Sequence, residues 1–115
     1  MIVEDNRTNL TVLTAIVGKI PGCHVEGFDS PTKAMTRAFE MTFDLILVDY
    51  VMPEMNGIDL LATLRAKGRN VPFGFVTSEG SLEMRERAAS AGAMFLISKP
   101  FTPEAFKEAL EPVLG

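Results

Sequence analysis

Apolar positions recur along the chain in two alternating rhythms. After the short run Met1-Ile2-Val3, the residues Leu10, Leu13, Ile16, Val17 and Ile20 fall three or four apart. That spacing predicts a helix, which Pro21-Gly22 stops. Cys23 to Phe28 reads as a short extended segment. Ser30 before Pro31 places a capping hydroxyl ahead of a proline at the first helical position, opening a helix with Ala34, Met35, Ala38 and Phe39 inward. Leu45-Ile46-Leu47-Val48 is an unbroken apolar run, the pattern of a strand covered on both faces.

The alternation continues to the end. Gly57 precedes a helix carrying Ile58, Leu61 and Leu64 and ending at Gly68; Val71 to Val76 is strand-like; Ser81 to Ala91 is helical and closes at Gly92. Beyond Leu82 and Met84, the apolar residues of that helix are alanines, so little buried area holds it, and it is expected to be the most mobile element. Its Arg85, Glu86 and Arg87 read as a solvated face. Ala93 to Ile97 forms the last strand, and Thr102-Pro103 repeats the hydroxyl-proline start before Phe106, Leu110 and Val113. Strands each followed by a helix pair in parallel through crossovers, which predicts a doubly wound α/β fold with helices on both faces of a five-stranded sheet.

Composition narrows the class. The 115 residues, 47% hydrophobic and 23% charged, suit one domain spanning residues 1–115. A second, output-type domain does not fit. Cys23 is the only cysteine, which excludes an intramolecular disulfide and points to a cytoplasmic setting. No apolar run approaches the ~18 residues of a membrane span, and a net charge of −4 speaks against direct nucleic-acid binding.

In an open parallel sheet, ligands bind beyond the carboxyl ends of the strands, where the strand order reverses. For a flavodoxin-like order 2-1-3-4-5, that point brings together Glu4, Asp5 and Asp49, with Thr77 and Lys99 on the next two strand ends. Three carboxylates repel one another unless a cation neutralises them. Oxygen-only ligands without a histidine or cysteine cluster favour Mg²⁺. A carboxylate, a hydroxyl and a lysine around that ion suit phosphoryl transfer to an aspartate.

Glu4-Asp5-Asn6, the strand Asp44 to Asp49, Met52-Pro53 with Gly57, Thr77-Ser78 and Lys99-Pro100-Phe101 together resemble the receiver domain of two-component response regulators, including the single-domain chemotaxis type. The resemblance implies that Asp49 accepts a phosphoryl group from a histidine kinase or phosphotransfer protein. It further implies that Asp5, Asp49 and the backbone carbonyl of Val51 bind Mg²⁺, with Glu4 acting through a coordinated water. Thr77 and Lys99 would hold the phosphoryl oxygens, with a cis peptide at Lys99-Pro100. Output would pass from the face of the fourth helix, fifth strand and fifth helix to a separate protein or domain, and that face leaves a homodimer open.

Three features depart from the family pattern, the least of them Ser78, which stands beside the switch hydroxyl where the family often has alanine. The position three before the lysine, where an aromatic switch residue is usual, is Leu96, and Phe95 beside it is expected to face the other side of the sheet. The first strand is short, which leaves a start upstream open. Among rivals, a haloacid-dehalogenase-type phosphatase needs a second Asp two positions after the nucleophile, where this chain has Val51. A flavodoxin-like flavin binder needs a phosphate loop that does not follow the first strand. Phosphorylation-independent docking of partners is the alternative that Leu96 motivates.

Overall fold

The structure, a computed structural model, describes residues 1–50, 55–77, 81–98 and 102–114. Its elements alternate without exception: β1 (Ile2–Val3), α1 (Arg7–Gly18), β2 (Gly27–Phe28), α2 (Pro31–Glu40), β3 (Ile46–Asp49), α3 (Gly57–Ala66), β4 (Phe73–Thr77), α4 (Leu82–Ser90), β5 (Phe95–Ser98) and α5 (Pro103–Leu114). All four strand pairings are parallel, in the order β2-β1-β3-β4-β5. This is the doubly wound arrangement expected from the alternating periods, with its strands in the flavodoxin-like order.

The unbroken apolar runs have a structural cause. Every residue of β1, β3 and β4 is buried, because successive side chains supply two different cores. Val3, Ile46, Val48, Phe73 and Phe75 pack with Ala34, Ala38, Leu60, Leu61, Leu64 and Ala88 of α2, α3 and α4. Ile2, Leu47, Val76 and Ile97 pack on the other face with Leu13, Val17, Phe106 and Leu110 of α1 and α5. Two-residue β1 is extended at both ends by Leu47 N–H donating to the Met1 carbonyl and Glu4 N–H donating to the Phe28 carbonyl.

Local chemistry decides where the helices begin. Asn6 accepts from Asn9 N–H at 3.0 Å, Asn56 from Asp59 N–H at 2.8 Å, and Thr102 from Ala105 N–H at 3.1 Å. These are N-caps that satisfy otherwise orphaned donors.

Three expectations are corrected. The Ser30 hydroxyl makes no capping bond to α2, which relies on Pro31 at its first turn. Phe39 is half-exposed rather than inward, since the small Ala34 and Ala38 occupy the contact with the sheet. The extended segment 23–28 yields only Gly27–Phe28 as strand, because the turn after α1 continues through Cys23 N–H to the Ile20 carbonyl. The sparse burial expected of α4 is present: only Met84 and Ala88 are buried, and Leu82 is 73% exposed. Among the described residues, no helix is long and apolar enough to cross a membrane.

Candidate functional site

Adjacency of β1 and β3 creates the site. Val3 and Val48 are partners in register, so the residues that follow them, Glu4-Asp5 and Asp49, emerge side by side at the carboxyl edge. One carboxylate oxygen from each of Glu4, Asp5 and Asp49 lies within 4.8 Å of the others. Glu4 is fully buried and Asp49 nearly so, whereas Asp5 is exposed. Thr77, fully buried, ends β4 beside them, since Asp49 pairs with Val76 one residue earlier.

Like charges at this separation repel by on the order of 1 to 4 kcal/mol per pair, depending on how much water screens them. The donor set therefore suits a hard divalent cation. Mg²⁺ prefers oxygen ligands and keeps several of its waters, so Glu4, Asp5 and Asp49 would hold it in part directly and in part through coordinated water. Oxygen donors alone do not favour zinc or copper.

The strand-to-helix turn after Asp49 is built around Gly57. Tyr50 N–H donates to the Val76 carbonyl at 3.2 Å, and Gly57 N–H donates back to the Tyr50 carbonyl at 2.9 Å. A Cβ on Gly57 would meet the Phe75 ring and approach the Asp49 carbonyl oxygen at 3.2 Å. Only glycine lets the helix start this close to the acidic strand end. Sequence reading marked Gly57 as a helix start and missed this contact; Asn56 ahead of it, a strong N-cap type, was the available signal for where α3 begins.

Leu96 packs with the core beneath α2, α3 and α4, and Phe95 with the opposite core, as expected from strand alternation. The tip of the Phe95 ring sits against Gly74, its register partner on β4, where a Cβ would stand 2.3 Å from Cζ. Val51, Ser78, Lys99 and Pro100 lie outside the described residues.

The model of the response regulator receiver domain matches residues 1–111. The chain belongs to this family. Among curated relatives, this receiver domain is 31% identical to the chemotaxis protein CheY of Pseudomonas aeruginosa over 98% of its own length and 93% of that protein. It is also 31% identical to the response regulator protein TmoT of Ectopseudomonas mendocina, over 98% of its own length but 51% of TmoT. The receiver domain thus spans about half of TmoT and nearly all of CheY. Among solved structures, Vibrio cholerae CheY4 superposes with a TM-score of 0.88 at 26% identity, covering 97% of this chain and 94% of that one. The non-phosphorylated HemR receiver domain of Leptospira biflexa does so with a TM-score of 0.87 at 29% identity, covering 99% and 91%.

Proposed function

We propose that this receiver domain is a phosphorylation switch in which Asp49 is the phosphoacceptor. The observation that carries the reading is the convergence of Glu4, Asp5 and Asp49 beside the buried hydroxyl of Thr77. An Asp49 carboxylate oxygen attacks the phosphorus of a phosphohistidine on a histidine kinase or phosphotransfer protein. The P–N bond breaks, its electron pair returns to the imidazole, and Asp49 becomes an acyl phosphate.

Asp5, Asp49 and the Val51 carbonyl, with Glu4 through a coordinated water, would hold Mg²⁺, which offsets negative charge on the transferring group. Thr77 and Lys99 orient the phosphoryl oxygens, the latter from a Lys99-Pro100 peptide that is cis in the family. Val51 supplies no acid or base for rapid turnover, so the domain transduces a signal and hydrolyses its own acyl phosphate slowly at most. Its site of action is the cytoplasm. Output passes through the α4, β5 and α5 face to a separate protein or domain, or to a second copy of the chain. That face and Asp49 act without nucleic acid or membrane contact.

Incubation with Mg²⁺ and acetyl phosphate, followed by intact mass, tests this. A phosphoryl adduct on the native chain that is lost in Asp49→Asn is expected. A folded chain that takes up no adduct overturns the switch and favours phosphorylation-independent docking.

A further inference from the structure

Arg85 was expected on a solvated face, yet its guanidinium reaches across to the edge strand. Nη1 donates to the Leu96 carbonyl at 3.4 Å and Nη2 to the Ser98 hydroxyl at 3.2 Å. The two acceptors lie two residues apart on β5, so one planar fork ties α4 to two points of the strand at once. Ser98 is the register partner of Thr77. The strand end that carries the proposed phosphoryl-sensing hydroxyl is therefore paired directly with the residue that Arg85 grips. Apolar burial does little to fix α4, which inserts only Met84 and Ala88 into the core.

We propose that Arg85 is a positioning residue, a clasp that holds α4 against β5 in the unphosphorylated form and opposes the switch. This rests on the reading of Asp49 as phosphoacceptor. When Thr77 is drawn toward a phosphoryl group on Asp49, the paired end of β5 shifts relative to α4, and the two-point grip on Leu96 and Ser98 no longer fits. Bonds made in only one of two conformers bias the equilibrium by their own free energy, and ligand affinity at the distant site must reflect it. Two exposed hydrogen bonds of this kind correspond to roughly a fivefold effect.

The test uses the full chain, fixed Mg²⁺ and beryllofluoride as phosphoryl mimic, with affinity followed by the fluorescence of Tyr50, the only tyrosine. Thermal unfolding is measured in parallel. Arg85→Ala is expected to bind beryllofluoride about fivefold more tightly than the native chain. Arg85→Lys, a point donor unable to span both acceptors, should fall between the two, and adding Ser98→Ala to Arg85→Ala should give little further change. An affinity equal to the native value in Arg85→Ala, with only a lowered melting temperature, overturns the clasp and leaves a purely structural contact. Failure of the folded native chain to bind beryllofluoride overturns the phosphoacceptor reading itself, and the clasp with it. Because Arg85 is exposed, neither substitution threatens folding; Ser98→Ala alone gives an independent variant with the same expected direction.

Discussion

A Cβ placed on Gly57 would stand 2.5 Å from Cε1 of Phe75, with no flexible chain end to yield between them. Gly57→Ala must therefore displace either the Phe75 ring, which is fully buried and packed at 5.8 Å from Phe73, or the first turn of α3. Overpacking of this kind costs about 2 kcal/mol, or roughly 8 °C in Tm for a domain this size. Thermal unfolding should show that loss, and the Asp49 backbone amide should shift in NMR spectra. Gly18, which ends α1 with open space around it, provides the control: Gly18→Ala should raise stability by about 0.5 kcal/mol.

Crowded carboxylates make stability depend on divalent cations. Mg²⁺ at about 100 times its Kd should stabilise the fold by roughly 2.7 kcal/mol. Asp5→Asn removes one of the three charges without touching the core, since Asp5 is exposed. That variant should melt higher than the native chain without metal and gain less from Mg²⁺. A lower melting temperature in EDTA would show that the three carboxylates do not repel.

Away from the site, Arg37 forks onto Glu26, with Nε to Oε1 at 2.8 Å and Nη2 to Oε2 at 3.2 Å. The hydrogen bond and charge of Arg37 hold the Glu26 carboxyl below its usual value of 4.5. A carboxyl depressed in the folded state stabilises above its unfolded value, and that contribution fades as pH falls through the folded one. Arg37→Gln should thus return Glu26 to the ordinary range in a side-chain NMR titration. The stability gap between variant and native chain should close below about pH 4. The pair is solvent-accessible, so added salt should narrow the gap as well.

Thr102 accepts from Ala105 N–H at the start of α5, the helix that delivers Phe106 and Leu110 to the core. Thr102→Ala should cost about 1 kcal/mol and Thr102→Ser almost nothing. Equal losses in both would mean that the methyl group, not the hydroxyl, matters at this position.

The periodicities of the chain by themselves determined the layered α/β architecture, because a strand buried on both faces and a helix buried on one leave different apolar spacings. Leu45 to Val48 and the stripe from Leu10 to Val17 show this directly. The acidic strand ends were legible for the same reason, and in the flavodoxin-like strand order Glu4, Asp5 and Asp49 lie at the edge where β1 and β3 meet. Tertiary structure alone decided the rest. Whether the Ser30 hydroxyl caps α2, whether Phe39 turns inward, and that Gly57 abuts Phe75 depend on distances between segments remote in sequence. The reach of Arg85 to Leu96 and Ser98 was hidden for a further reason. A charged residue on a polar helix face has the same sequence pattern whether it meets water or a neighbouring strand's carbonyl, and only packing α4 beside the sheet edge distinguishes the two.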